Sequence, residues 1–183
     1  MDYDALSRQI GNKLRTADDA ARYRFGACLL QDNPYGWGQE HLISTDCSGS
    51  VAIGLLFAGY NVRLTADAYY RMVFTGRPAV IFDPGEICAV FYIATTDRTH
   101  GDRKAKKGEV VHVTPVIGDG CILDAAWGKP ARIRTTAKAA VLHKGFGTTP
   151  VLCSADWTKL ITLNESGKYP VDDAELLELV AKG

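Results

Sequence analysis

Apolar and polar positions divide the chain into a helical first part and a strand-rich remainder. Tyr3, Leu6, Ile10 and Leu14 recur at helical spacing among charged residues, which predicts an amphipathic helix over residues 3 to 24. Gln31 to Gly38 (QDNPYGWG) is dense in Asn, Pro and Gly and reads as loop. Ser44, Thr45 and Asp46 all favour a helix N-cap, an apolar segment follows at once, and Gly59 supplies a stop. Val51, Ile53, Leu55, Leu56 and Phe57 leave that helix with almost no polar face, so it is expected in the interior.

After Thr65 the pattern predicts a helix to about Thr75, and Pro84-Gly85 marks a turn. Ile87 to Thr95 (ICAVFYIAT) reads as a buried strand, and Asp97 to Lys107 as a charged loop. Glu109 to Ile117 and Cys121 to Ala125 are predicted strands around Gly118-Asp119-Gly120. Further strands are expected at Arg132 to Thr136, Ala140 to His143 and Leu160 to Leu163, and a final helix at Asp172 to Lys182. This order predicts an α+β fold, with an antiparallel β-sheet packed against the buried helix. There is no repeat or low-complexity linker. The 183 residues fit a single domain, 1–183, with a core at about 23–145 and terminal helices as appendages.

Composition narrows the function. Lys plus Arg and Asp plus Glu both number 21, so a net charge of zero removes the electrostatic case for nucleic acid. The longest apolar run, Val51 to Ala58, is shorter than the ~20 residues a membrane span needs. The N-terminus (MDYDALSRQIGNK) lacks the basic start and apolar block of a signal peptide, so synthesis in the cytoplasm is expected. Five cysteines at irregular spacings, with no C-x-x-C pair, argue against a disulfide framework or a structural zinc. No phosphate-binding loop or His-Glu-x-x-His motif appears, and Ser48 and Ser50 lack the Gly-x-Ser-x-Gly context. No metal or other cofactor is expected.

The candidate chemistry lies in Asp46-Cys47-Ser48-Gly49 and in His112. With Thr45 or Asp46 as cap, Cys47 falls in the first turn of the helix, where unpaired N–H groups and the helix dipole favour thiolate. The same groups can hold an oxyanion. A free cysteine is more often a small buried hydrophobe, and Cys28, Cys88, Cys121 and Cys153 keep that reading. The capping residues before Cys47 and the small residues after it set it apart.

His112 alternates with Val111 and Val113 on a predicted strand, a common setting for a structural histidine. A three-residue hairpin loop, Gly118-Asp119-Gly120, would pair Ile117 with Cys121 and Thr114 with Asp124. His112 and Asp124 would then be diagonal neighbours on one face, and Asp124 could orient the imidazole toward Cys47. A two-residue loop would turn Asp124 to the other face. His41 is the alternative base, and His143 reads as structural.

These residues resemble the NlpC-like family of cell-wall cysteine peptidases, which have a papain-like fold. Pro34-Tyr35-Gly36-Trp37-Gly38 is similar to the family's aromatic-glycine segment, and Asp46-Cys47-Ser48-Gly49 to its nucleophile motif. Pro84-Gly85-Glu86-Ile87 resembles its turn into the next strand, and His112-Val113 through Leu123-Asp124-Ala125 its histidine hairpin. Gln39 stands where a second glycine is frequent, Asp124 where His, Asn or Gln is common, and Tyr92 to Glu109 is long and charged.

The resemblance implies a cysteine endopeptidase acting on peptidoglycan stem peptides, at the bond from the γ-carboxyl of D-glutamate to diaminopimelate or lysine. Cys47 would be the nucleophile, His112 the base and then the acid, and Asp124 the orienting residue. Tyr35, Trp37, Asp46 and Ser48 would be substrate-binding, with loop packing an equal reading for Tyr35 and Trp37. A wall enzyme without a signal peptide suggests delivery by a phage or secretion particle. The alternatives are a related cysteine amidase or acyltransferase, or a non-catalytic wall-binding or structural component. Arg98, His100, Arg103, Lys104, Lys106 and Lys107 form a basic cluster, read as a solvated loop, or else as a site attracting anionic wall polymers or a lid over the cleft.

Overall fold

The computed structural model describes residues 18–74, 82–100 and 103–166. The apolar face Tyr3 to Leu14 and the helix expected at Asp172 to Lys182 lie outside the described residues. Helix α1 (Asp19–Cys28) leads through a loop to a short ribbon of β1 (Glu40–His41) and β2 (Ser44–Thr45), then to α2 (Cys47–Phe57) and α3 (Ala66–Met72). Strand β3 (Cys88–Ala94) is followed by a small hairpin, β4 (Arg98–His100) and β5 (Arg103–Ala105). Then come β6 (Val110–Gly118), β7 (Cys121–Asp124), β8 (Arg132–Thr135), α4 (Thr136–Lys144), β9 (Thr148–Ser154) and α5 (Trp157–Ser166).

Five strands form one antiparallel sheet in the order β8-β7-β6-β3-β9. The uninterrupted apolar run of β3 follows from burial on both faces. Ala89 and Phe91 join Val51 and Leu55 of α2 in the main core, whereas Cys88, Val90 and Tyr92 pack on the opposite side with Ala139 of α4. Helix α2 needs apolar residues all round because a second cluster, Leu30, Ile53, Phe57 and Leu123, covers its other side. Truncating a side chain as enclosed as Phe57 costs about 3–5 kcal/mol.

The caps are local. Asp46 accepts from the Gly49 N–H at 2.5 Å and starts α2, and Thr65 accepts from Ala68 at 3.3 Å and starts α3. Thr135 does the same for α4, accepting from Lys138 at 3.2 Å. Among the described residues no helix is long and apolar enough to cross a membrane.

The structure corrects four sequence expectations. Ala140 to His143 is not a strand but part of α4, and Leu160 to Leu163 is part of α5. In both segments the apolar run is too short for its period to separate helix from strand, and the caps decide. Asp156 accepts from Lys159 at 3.3 Å at the start of α5. The expected loop Asp97 to Lys107 carries the β4–β5 hairpin, closed at its base by Asp97 accepting from the Lys107 N–H at 2.8 Å. Strand β9 is not among the expected strands; it lies at the sheet edge, where its Pro150 is tolerated.

Candidate active site

Asp46 leaves the β2 strand in an extended conformation (φ −95°, ψ −178°), and Cys47 is the first residue of α2. Gly49 permits this junction, because a methyl group there would overlap the Gln39 carbonyl and sit 2.6 Å from Thr45 Oγ1. The close approach that Gly49 allows is therefore made by the chain itself. Cys47 is 7% exposed and opens onto a cavity of about 650 Å³.

His112 lines the same cavity from the middle of β6. In the β6–β7 hairpin Val116 faces Ile122 and Gly118 faces Cys121, with a register slip at Ile117 between them. The loop between paired residues is thus Asp119-Gly120, shorter than the three residues expected, with Gly120 at φ 62°. The slip at Ile117 keeps the expected register further along the strands. Asp124 consequently stays on the His112 face.

His112 Nε2 lies 2.9 Å from Asp124 Oδ1, and the imidazole shares the cavity with Cys47. Arg134 Nε donates to Asp124 Oδ2 at 3.0 Å. Burial alone would lower the His112 pKa. The hydrogen bond to Asp124 and the nearby Cys47 outweigh it and carry the value from 6.5 up to about 9. Burial alone would raise the Asp124 pKa, but contact with His112 and His143 holds this carboxyl well below the usual carboxylate range. The two shifts are one attraction seen from its two ends.

His143 was read as structural from the sequence, yet α4 places it in the cavity wall and against the pair. Its ring stacks on His112 at 4.5 Å between centroids and 28° between planes, and lies 4.2 Å from the Tyr92 ring. Its Nε2 stands 3.4 Å from Asp124 Oδ1, close enough for attraction but poorly aligned for a hydrogen bond. No local signal marks His143, since its role depends on a helix that the apolar pattern reads as a strand. His112, Asp124 and His143 each offer a metal-ligating atom, all within 4.8 Å of one another. Arg134 already occupies Asp124 Oδ2, and a cation placed there would face a guanidinium. The donor set fits a hydrogen-bonded cluster better than a metal centre.

Tyr35 and Trp37 line the cavity and pack on Trp127, with ring centroids at 5.7 and 5.3 Å. Asp46 and Ser48, expected to bind substrate, do not line the cavity and are engaged within the chain. Asp46 accepts from the N–H groups of Gly49 and Gly38, the latter at 2.9 Å, and pairs with Arg63 at 3.3 Å. Ser48 donates to Asp46 at 3.0 Å and accepts from Arg63 at 2.9 Å, and Arg63 also pairs with Glu40. These side chains clamp the loop onto the helix start. His41 is exposed on β1 and does not line the cavity. Arg98 and Ala105 bring the basic hairpin into the cavity wall.

No protein-family model matches the sequence, nor does any curated protein. Solved structures do match the fold. NlpC1 from Trichomonas vaginalis aligns with a TM-score of 0.51 and 19% identity, over 75% of this chain and 44% of that one. NlpC2 from the same organism aligns at 0.47 and 17% identity, over 75% and 46% of the two chains. A lipoprotein-like member of the NLP/P60 family from Staphylococcus aureus aligns at 0.49 and 14% identity, over 73% and 40%. The chain thus spans less than half the length of each of these proteins. The fold is the papain-like α+β arrangement that NlpC1 shares.

Proposed function

We propose that this protein is a cysteine peptidase that hydrolyses peptidoglycan stem peptides, at the γ-D-glutamyl bond to diaminopimelate or lysine. The observation that carries the reading is one 650 Å³ cavity in which a cysteine at a helix start meets a histidine held by a buried carboxylate. The Cys47 thiolate attacks the scissile carbonyl, forming the S–C bond. First-turn N–H groups of α2, which lack intrahelical acceptors, stabilise the oxyanion. His112, as imidazolium, protonates the leaving amine while the C–N bond breaks. Neutral His112 then takes a proton from water, whose oxygen attacks the thioester and releases the acid and the free thiol. Asp124 keeps its negative charge throughout and holds the imidazole in one orientation.

The choice of peptidoglycan rests on the resemblance of the motifs and on the shared fold. The test is mass spectrometry of defined stem peptides, with diaminopimelate or lysine, after incubation with wild type and with Cys47→Ala. A γ-D-glutamyl cleavage product from wild type alone supports the reading. Intact peptides throughout would move it to an amidase, an acyltransferase or a binding component.

A further inference from the structure

We propose that the cavity selects acyl donors with a free carboxylate a few bonds from the scissile carbonyl, and that Lys129 and Arg98 are its specificity-determining cations. This rests on the peptidase reading and narrows its substrate. Arg98 on β4, Lys129 in the β7–β8 loop and His112 all line the cavity, and among the described residues no aspartate or glutamate does. Asp124, the nearby carboxylate, is fully buried behind His112 and already matched by His112 and Arg134. It has no charge left to offset the two side-chain cations. Lys129 makes no ion pair among the described residues. Arg98 donates to the Phe146 carbonyl, which orients the guanidinium without neutralising it.

The chain as a whole has zero net charge, so this positive excess belongs to the cavity. The walls around it are apolar: Trp37 and Trp127, 58% and 61% exposed, with Phe146. Apolar walls lower the local dielectric and strengthen attraction for an anion. A γ-linked glutamyl residue has the matching chemistry, because its α-carboxylate stays free, three carbons from the scissile carbonyl. Converting that group to the carboxamide removes the charge and keeps the shape.

The experiment uses a pair of stem peptides that differ only in α-carboxylate or α-carboxamide. Two quantities are measured: kcat/KM with wild type, and equilibrium binding to Cys47→Ala. The free acid should be preferred at least about fivefold, the scale of one ion pair at a partly open site. The preference should shrink with added salt, and the Lys129→Gln, Arg98→Gln double variant should bring the ratio to about one. Equal rates for acid and amide, or a ratio that the double variant leaves intact, would overturn the proposal while the peptidase reading stands. Should wild type cleave neither peptide, that reading falls and binding decides. Tighter binding of the acid upholds the selectivity, and equal or absent binding overturns it.

Discussion

Two aspartates among the described residues are buried and paired with arginine, and they do opposite work. Asp46, 5% exposed, spends its oxygens on the N–H groups of Gly38 and Gly49, on Ser48 and on Arg63. Asp124, fully buried, gives one oxygen to Arg134 and the other to a histidine that reaches the cavity and Cys47. Burial and an arginine partner are therefore shared by a clamp and the proposed reactive site. What distinguishes them is whether a proton-carrying side chain stands between the carboxylate and open space. The clamp fixes where the helix begins; the other cluster determines what the cysteine at that start can do.

The largest expected effects lie on the reactive side. Cys47→Ala and His112→Ala should each lower peptide turnover by roughly 10³-fold or more, with circular dichroism unchanged. Full activity in both would remove the contrast altogether. Asp124→Asn should cost about 10²–10⁴-fold in kcat, because the amide presents a different partner to His112 Nε2. Asp46→Ala should instead lower stability by about 1–3 kcal/mol in urea unfolding, through the lost cap and the lost Arg63 contact. If Asp46→Ala removed activity without loss of stability, the two clusters would not be distinct in kind.

The pH profile sharpens the comparison. The imidazolium of His112 should persist to about pH 9, so activity should fall on the alkaline side near that value. Asp124→Asn should move this limb to lower pH. The same raised pKa gives folding stability that is fully present below 6.5 and lost as pH rises through about 9. Asp124, held low, gives stability that is present at neutral pH and lost only well into acid. Unfolding across pH 2 to 10 checks both signs, in the single interaction they share. The smallest effect expected is at His143: replacing it by Ala should cost roughly tenfold in kcat by loosening the ring stacked on His112, and Phe should restore part of this.

Cys47 could be placed at a helix start from its neighbours alone, because capping acts over three residues and Asp46, Ser48 and Gly49 are adjacent to it. The β6–β7 hairpin was legible for the same reason, since turn chemistry is local. Even there the loop was one residue shorter than expected and the slip at Ile117 restored the face. Such a slip depends on packing on both sides of the sheet and leaves no mark in the turn.

What the sequence by itself determined is the buried helix with its cysteine at the start, the histidine strand, the carboxylate on the next strand and the mixed α+β class. Periodicity, caps and turns are all properties of near neighbours. Only the tertiary structure decided that Asp46 and Ser48 serve Arg63, that α4 sets His143 on His112, and that the walls around Cys47 carry Lys129 and Arg98. Those outcomes depend on contacts between residues far apart in the chain, where packing and the pairing of buried charge outweigh any local preference.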